Sequence, residues 1–263
     1  MKATVFLGGG RITSALVAGL RLARYKLPIV VHDRNPGKIR QLKRQYGVVA
    51  ESNLRRAIGQ AGILVIAVRP ASVRDLLADV GCVNRPLVAV SLAAGVPLAR
   101  LRAALGPHVR WARAMPSPVC RYRCGLTAVT FDRNLPNTAR RAVRDLFGQV
   151  GTVLEIPESK FDVFTVTYSS SHGYHALATL AGAAQTLGLD RKSALAAAAH
   201  ALADGIVSWR HESISLERLL HEAATPGGIA ATVMSAMDAR GYRRVVEQGL
   251  RAGLVRARKN AKR

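Results

Sequence analysis

The glycine-rich turn near residue 9 constrains the fold of this chain more than any other feature of its sequence. Gly8, Gly9 and Gly10 follow a short apolar run, residues 4–7, and precede a helix-length segment, residues 12–24. Gly8 permits a tight turn. Gly10 lets a pyrophosphate approach the backbone at the helix N-terminus, where unpaired N–H groups favour negative charge. A strand, this turn and a helix in that order predict a dinucleotide-binding unit.

Short apolar runs alternate with longer amphipathic segments over about the first 155 residues, which predicts β-α-β units and a parallel sheet. The expected strands are residues 4–7, 29–32, 63–67, 87–91, 109–112, 126–130 and 151–156, and the helix-length segments include 12–24, 36–46, 97–105 and 137–149. Beyond Pro157 the sequence is alanine-rich and favours helices, with breaks at 188–190 and 213–215. We therefore expect an α/β domain, residues 1–158, followed by an all-α domain, residues 159–263.

The second expected strand leads to Asp33, Arg34 and Asn35, where the adenosine ribose of a dinucleotide should lie. Asp33 would bind the 2′-hydroxyl of NAD, whereas Arg34 with Asn35 would neutralise the 2′-phosphate of NADP. We expect NADP, and NAD stays open. In the alternative without a cofactor role, Asp33 caps the turn before Pro36 and Arg34 is merely solvated. The third glycine position of the fingerprint holds Thr13, which departs from the pattern.

Two further segments should meet the dinucleotide at the carboxyl edge of the sheet, where ligands bind in open α/β folds. One is the end of a buried strand at 68–70, and the other is the small-residue segment 91–95, which leaves room for a nicotinamide ring. Arg69 has the alternative of being a surface charge. The expected cofactor-binding residues are Gly8, Gly10, Arg11, Ile12, Asp33, Arg34, Asn35, Val68, Arg69, Pro70, Ala93 and Ala94.

The net charge of +23 is unusual for an enzyme of small molecules, since 39 basic residues stand against 16 acidic ones. Such a balance can indicate a nucleic-acid partner. The chain has no lysine-rich block and no interleaved aromatic platform, so we do not expect nucleic acid, and we attribute the charge to compositional bias and attraction of an anionic cofactor. The basic tail, residues 251–263, is interpreted as a solvated helix end.

No apolar stretch is long and uncharged enough to span a bilayer, and the first residues run directly into a strand-like segment. We expect a cytoplasmic protein without a membrane partner. Cys82, Cys120 and Cys124 are interpreted as small thiols. No metal site is expected, because neither the two later cysteines nor His172 with His175 have a further placed ligand.

Six ordered segments make the chain resemble the pyrroline-5-carboxylate reductase family, which reduces a cyclic imine to proline with NADPH or NADH. They are Gly8-Gly9-Gly10, Asp33-Arg34-Asn35-Pro36, Ala67-Val68-Arg69-Pro70, Ser91-Leu92-Ala93-Ala94-Gly95-Val96, Arg113-Ala114-Met115-Pro116 and Thr225-Pro226-Gly227-Gly228. The resemblance implies a Rossmann-like N-terminal domain and an all-α C-terminal dimerisation domain. It also implies homodimers with intertwined C-terminal helices, which assemble further in some members.

The stretches that the family uses near its substrate depart from its pattern. Met115-Pro116-Ser117-Pro118 lacks the family's asparagine, and Ser169-Ser170-Ser171-His172-Gly173-Tyr174 keeps one serine and the tyrosine in register. Thr225-Pro226-Gly227-Gly228-Ile229-Ala230 keeps the turn that receives a carboxylate but loses a hydroxyl at 230. The resemblance implies catalytic roles for Ser170 and Thr225, and substrate contacts for Met115, Ser117, Tyr174, Gly227 and Gly228. A catalytic role is also expected for His172, which replaces a proline of the family at the helix start, from the chemistry of its side chain.

His172 could titrate near neutral pH and act as an acid, or it could be a helix-start residue bonded to backbone. The resulting prediction is an NAD(P)H-dependent reductase of a C=N bond in a small anionic imine, with pyrroline-5-carboxylate as the default substrate. The alternatives are a paralogue that acts on another imine or keto acid, and a catalytically silent dinucleotide-binding regulator or partner subunit.

Overall fold

The structure is a computed structural model that describes the backbone of residues 2–262 and the side chains of residues 2–260. Two compact units are present in the chain. Unit 1 comprises Met1–Tyr168 together with Gly253–Arg263, and unit 2 comprises Ser169–Ala252. The α/β class expected for the first part of the chain and the all-α class expected for the second are both confirmed.

Unit 1 is built on one eight-stranded sheet with the strand order β3-β2-β1-β4-β5-β6-β7-β8. All neighbouring strands are parallel except β6 and β7. The strands are β1 (Ala3–Leu7), β2 (Ile29–His32), β3 (Val49–Ala50), β4 (Ala61–Ile66), β5 (Leu87–Ser91), β6 (Val109–Pro116), β7 (Gly125–Phe131) and β8 (Gly151–Glu155).

The antiparallel pairing of β6 with β7 differs from the fully parallel sheet expected from the sequence. Only residues 117–124 separate these two strands. A parallel crossover needs a dozen or more residues, so this short connection can only turn the chain back. β6 also continues to Pro116, beyond its expected end, because its last residues pair with β7.

Helices cover both faces of the sheet, as the β-α-β alternation predicts. Buried side chains of α1, α2 and α6 pack on one face, and those of α3, α4 and α5 pack on the other. The helices of unit 1 before its last segment are α1 (Arg11–Leu22), α2 (Pro36–Tyr46), α3 (Leu54–Gln60), α4 (Val73–Val80), α5 (Leu98–Arg102), α6 (Asn137–Gly148) and α7 (Glu158–Thr167). Short 3-10 helices lie at Pro70–Ser72 and Pro118–Tyr122.

Unit 2 contains helices only. They are α8 (Ser170–Thr186), α9 (Arg191–His211), α10 (Leu216–Ala223), α11 (Ile229–Ala239) and the first part of α12 (Tyr242–Lys262). The expected breaks are confirmed: Asp190 caps α9 by accepting hydrogen bonds from two backbone amides, and Ser215 caps α10 through the amide of Arg218. Between residues 2 and 262, no helix is long and apolar enough to cross a membrane.

The last part of α12 belongs to unit 1, and the expectation of a merely solvated helix end is therefore wrong. Ala257 is buried, and its backbone carbonyl lies where a Cβ at Gly95 would project. Asn260 donates a hydrogen bond from Nδ2 to the carbonyl oxygen of Ala94 over 3.4 Å. These contacts could not be predicted from the sequence, because basic side chains dominate this segment and its contact residues, Ala257 and Asn260, are small.

Candidate dinucleotide and active site

The carboxyl ends of four neighbouring strands meet at one edge of the sheet. The backbone ladder continues past the strand ends: Gly8 N–H donates to the carbonyl of His32 (2.7 Å) and Ala67 N–H to that of Leu7 (2.8 Å). Leu92 N–H donates to the carbonyl of Ile66 over 2.9 Å. The loops after β1, β2, β4 and β5 therefore begin side by side, as a dinucleotide site requires.

Gly8 and Gly10 of the glycine turn lack a side chain for two different physical reasons. Gly8 has φ +112°, and a Cβ there would lie 2.5 Å from the carbonyl oxygen of Ala67, so the neighbouring strand excludes any side chain. Gly10 is the N-cap of α1 with φ −80°, no side-chain cap, and no atom within 4 Å of the position that a Cβ would take. The amino end of α1, at Arg11 and Ile12, is thus left open beside Gly10, which is what an anion-binding helix terminus needs.

Thr13, which replaces the third glycine of the fingerprint, is completely buried. Its hydroxyl donates to the carbonyl oxygen of Gly8 over 2.5 Å. The substitution therefore fits the turn, because the hydroxyl is satisfied by the turn's own backbone. Gly19, farther along α1, has no room for a side chain. A Cβ there would collide with the backbone of Cys120, in the 3-10 helix after β6.

Asp33 orders the turns around it through both carboxylate oxygens. Oδ2 accepts from Gly9 N–H (2.7 Å) and Oδ1 accepts from Asn35 N–H (2.8 Å), while Lys38 Nζ lies 3.8 Å from Oδ2. Asn35 in turn caps α2 by accepting from Gly37 N–H over 2.9 Å. The turn-capping role that the sequence left open is thus present, and a ribose contact of Asp33 stays a prediction.

Arg34 is not merely solvated. Its Nη2 lies 2.6 Å from Oδ2 of Asp79 on α4, although both side chains are largely exposed. Val68 is half-buried against the glycine turn, and Arg69 is exposed at the same sheet edge. Pro70 begins the 3-10 helix that follows β4. The structure therefore brings the expected residues after β1, β2 and β4 to one edge.

The segment after β5 is held in place by its neighbours. Ser91 Oγ accepts from Ala93 N–H over 3.3 Å, Ala93 is buried and Ala94 is half-buried. Gly95 has φ +76° and is crowded by the backbone of Ala257. At Gly95 the absence of a side chain thus makes room for the backbone of α12, and room for a nicotinamide ring along 91–95 stays a prediction.

Arg113 belongs to a segment that resembles the family, but the sequence alone gave it no role. Its side chain is 1% exposed, bonds Glu158 Oε1 (3.0 Å) and Asp162 Oδ1 (2.7 Å), and stacks 4.4 Å from the ring centroid of Phe161. Glu158 Oε1 also accepts from Leu98 N–H over 3.0 Å. This cation therefore joins β6 to α7 and to the start of α5. A charged residue flanked by Ala112 and Ala114 in a mostly apolar strand was the available signal.

The end of β6 holds the first expected substrate-side residues. Met115 is half-buried, and Ser117 is 8% exposed with its Oγ accepting from Val119 N–H over 3.4 Å. The serine that replaces the family's asparagine thus caps the 3-10 helix that follows. Tyr168 is structural: its hydroxyl donates to Leu126 O (2.9 Å) and accepts from Leu126 N–H (3.0 Å).

Unit 2 carries the remaining candidates at two helix starts. Ser170, His172 and Tyr174 lie in the first turns of α8, and the amide of His172 donates to the carbonyl of Ser169 over 3.0 Å. Tyr174 is 64% exposed, so its ring has no core position in this chain. The helix-start geometry proposed as the alternative for His172 is present, and it does not exclude a chemical role for the ring.

The second helix start is the turn before α11. Gly227 has φ +76°, Gly228 is the N-cap without a side-chain cap, and Gly228 N–H donates to the carbonyl of Thr225 over 2.9 Å. The turn that the family uses for a carboxylate is therefore formed, and the first amides of α11 have no side-chain acceptor bonded to them among the described residues.

The cysteines and histidines of the described residues form no metal site, since no three metal-ligating side chains are grouped there. All three cysteines are free thiols. Burial raises the pKa of Cys120 to about 12, with a smaller opposing effect of Arg121, whereas Cys82 and Cys124 are exposed.

Two family descriptions match separate parts of the chain. Pyrroline-5-carboxylate reductase dimerisation matches residues 158–260, and NADP oxidoreductase, coenzyme F420-dependent, matches residues 4–95. The pyrroline-5-carboxylate reductase of Mycobacterium tuberculosis is 28% identical over 284 aligned residues, which cover 98% of this chain and 96% of the relative.

Solved structures show the same fold. A pyrroline-5-carboxylate reductase from Coxiella burnetii superposes with a TM-score of 0.87 at 23% identity, over 100% of this chain and 99% of the other. The NADP-bound pyrroline carboxylate reductase of Plasmodium falciparum gives 0.86 at 19% identity, over 99% of this chain and 98% of the other.

Proposed function

We propose that the chain is a member of the pyrroline-5-carboxylate reductase family and that it reduces pyrroline-5-carboxylate to proline with NADPH. The observation that carries this proposal is the glycine turn of unit 1. Gly8 is fixed by the neighbouring strand, and Gly10 leaves the amino end of α1 open to a diphosphate. The full-length likeness to reductases of this name supports the same activity.

NADP is the cofactor of this proposal, and NADPH supplies the hydride that adds to the imine carbon. The diphosphate would be held by the amides of Gly10, Arg11 and Ile12. Asp33, Arg34 and Asn35 would hold the adenosine ribose and its 2′-phosphate. Val68, Arg69 and Pro70, with Ala93 and Ala94, would line the rest of the cofactor along the sheet edge. NADH remains a measurable alternative.

The residues of the chain would bind the imine, orient it and supply a proton to its nitrogen. Thr225, Gly227 and Gly228 would hold the substrate carboxylate through a hydroxyl and backbone amides. Ser170 would donate a hydrogen bond to the ring nitrogen, and His172 would deliver the proton as a general acid. Met115, Ser117 and Tyr174 would enclose the ring and exclude water. A carbon–hydrogen bond and a nitrogen–hydrogen bond form while the C=N double bond becomes single.

A homodimer formed by the helical region is part of the proposal. We propose further that helices of both protomers intertwine to complete each active site, that dimers assemble into larger particles, and that the domains are residues 1–158 and 159–263. The start of the dimerisation match at residue 158 supports this division. We also propose a cytoplasmic location, since three free cysteines suit a reducing compartment.

The decisive experiment follows NADPH absorbance with pyrroline-5-carboxylate, together with a nucleotide-binding titration. We expect oxidation of NADPH by the wild-type protein and its loss in Gly10→Asp, because a carboxylate at the open helix terminus repels and crowds the diphosphate. Gly59→Asp is the matched control, since Gly59 is an exposed residue of unit 1 and, like Gly10, has open space at its Cβ position. Unchanged nucleotide affinity in Gly10→Asp would refute the site.

The altered substrate-side residues favour one second candidate, a reductase of another cyclic imine or a keto acid. Ser117 stands where the family has asparagine, and the hydroxyl at position 230 is missing. Binding of NADPH without turnover of pyrroline-5-carboxylate would direct the assay to a panel of cyclic imines and keto acids. Binding without turnover of any of them would favour a silent regulator or partner subunit.

A further inference from the structure

The ion pair between Arg34 and Asp79 connects two elements that flank the glycine turn. Arg34 follows β2, Asp79 lies on α4 after β4, and both strands pair with β1, which leads to Gly8. Arg34 Nη2 lies 2.6 Å from Asp79 Oδ2. The guanidinium expected to meet a 2′-phosphate therefore already has an anionic partner from the opposite side of β1.

We propose that Asp79 lowers the preference for NADPH over NADH by competing with the 2′-phosphate for the guanidinium of Arg34. This inference rests on the proposed function, since it concerns the nucleotide used by the reductase. Neither Asp79 nor its helix belongs to the glycine fingerprint, so Asp79 acts through Arg34 alone.

The competition follows from charge and exposure. A phosphate monoester carries about −1.5 to −2 at pH 7, so it displaces a carboxylate from an arginine. The displaced pair is 72% exposed at Arg34 and 51% exposed at Asp79, and pairs of this kind are weak enough to exchange. Breaking one raises the dissociation constant for NADPH by only about two- to fivefold. NADH has no phosphate at this position, so its binding leaves the pair intact.

The local charges around Arg34 make the effect specific to Asp79. The carboxylate of Asp33 accepts hydrogen bonds from the amides of Gly9 and Asn35, and its Oδ2 lies 3.8 Å from Nζ of Lys38. Its carboxylate therefore has partners of its own. Asp79 is bonded to Arg34 alone among the partners described for it, and its removal leaves the turn around Asp33 unchanged.

Asp75 provides a matched control on the same helix. It is exposed to a similar degree as Asp79, 61% against 51%, and it pairs with Arg74 rather than with Arg34. Asp75→Asn and Asp79→Asn remove the same charge from α4. A general electrostatic effect on an anionic nucleotide appears in both variants, whereas release of Arg34 appears only in the second.

The test measures dissociation constants of NADPH and NADH by fluorescence titration at low ionic strength. We expect Asp79→Asn to bind NADPH about threefold more tightly relative to Asp75→Asn, with equal affinities of the two variants for NADH. In an Arg34→Ala background the Asp75 and Asp79 variants should bind each nucleotide with equal affinity. Thermal melting monitors folding, and Asp79→Ala serves as the second variant if the asparagine protein is unstable.

Equal NADPH affinities in the Asp75 and Asp79 variants, or a difference between these variants that persists in the Arg34→Ala background, would overturn the inference while leaving the reductase proposal standing. A wild-type protein that binds neither nucleotide would overturn both. The two failures are therefore distinguished by the wild-type titration.

Discussion

Unit 1 and unit 2 bury their apolar side chains in different ways. In unit 1 two large clusters of buried residues cover both faces of one sheet, and Trp111, Phe6 and Phe147 are almost fully enclosed. Within residues 169–252, all of which the structure describes, only Ala181, Ala194 and Ala198 are buried. A unit that buries three alanines cannot offset the entropy of ordering five helices.

The exposed apolar side chains of unit 2 indicate the surface that another chain would have to cover. Large apolar residues of its helices remain about half exposed or more, among them Leu187, Leu195, Ile206, Val207, Trp209, Ile229, Val233 and Val245. Apolar surface of this extent is typical of an interaction site. The first unit is thus stabilised by its own chain, whereas the second gains its core by pairing with another copy.

The two units also differ in charge. Unit 2 has eight basic and seven acidic residues, so the other 31 basic and nine acidic residues, and almost the whole net charge of +23, belong to unit 1. A nearly neutral unit suits close association of like copies, while a strongly basic one attracts an anionic nucleotide. The distribution of charge therefore agrees with the proposed roles of the two units, cofactor binding by unit 1 and pairing by unit 2.

The largest expected effect tests the self-sufficient core of unit 1. Arg113→Ala leaves the carboxylates of Glu158 and Asp162 without their cation, and we expect a loss of about 3 kcal/mol in the free energy of unfolding. This is the low end for a broken buried pair, because each carboxylate is about one third exposed. Urea denaturation measures it. Arg218→Ala, which breaks an exposed pair in unit 2, should cost less than about 1 kcal/mol.

The next effect tests the dependence of unit 2 on a second copy. Val207→Glu places a charge on its apolar surface, and we expect the dimer dissociation constant to rise about 100-fold, because a charge buried in an interface loses its hydration. Sedimentation over a range of protein concentrations measures it. Val49→Glu, at a similarly exposed valine of unit 1 (48% against 53%), should leave the dimer intact. Equal dimer dissociation constants of the two variants would contradict the expected difference between the two units.

A smaller effect compares two glycines of nearly equal φ. Gly8 (φ +112°) meets the carbonyl of Ala67, whereas Gly188 (φ +106°) in unit 2 has open space at its Cβ position. Gly188→Ala should cost only the backbone strain, about 1 kcal/mol, and Gly8→Ala about 2 to 3 kcal/mol because the methyl group also collides with the strand. Thermal melting distinguishes them, and equal costs would contradict the close approach at Gly8.

The smallest effect concerns reactivity without any change in stability. At pH 8 alkylation should modify Cys82 and Cys124 in the native protein and leave Cys120 unmodified. Burial raises the pKa of Cys120 to about 12, so its thiol keeps its proton at this pH, and the thiolate is the reactive form. Mass spectrometry counts the modified thiols, and urea should expose the third. Rapid native labelling of Cys120 would show that the core of unit 1 opens.

Local patterns predicted most of unit 1 because its elements obey them. β2 and β5 have the predicted bounds, and α2 runs from Pro36 to Tyr46 as expected, since its start and end carry a proline, a capping Asn35 and the left-handed Gly47. β3 was missed because two residues are too short for a periodic signal. β7 was predicted, but its antiparallel direction was not, because strand direction depends on the length of a connection rather than on the strand's own residues.

The candidate site was predictable where the backbone itself forms the binding surface. It was less predictable where side chains from distant segments meet. Gly8 and Gly10 reveal their roles through their residue type, since only the backbone is needed. The contacts of Arg113 with Glu158 and of Arg34 with Asp79 join residues 45 positions apart, and no local pattern encodes them. The contact of Gly95 with Ala257 was missed for the same reason, because Ala257 lies far along the chain.

The return of α12 to unit 1 has a consequence for the order in which the protein matures. The ribosome synthesises the strands of the sheet before α12, and Asn260, which bonds Ala94, follows it by 166 residues. A nascent chain can therefore complete its sheet while the loop after β5 still lacks its final support. The loop after β5 therefore gains its final support only after α12 has been synthesised and has packed against it.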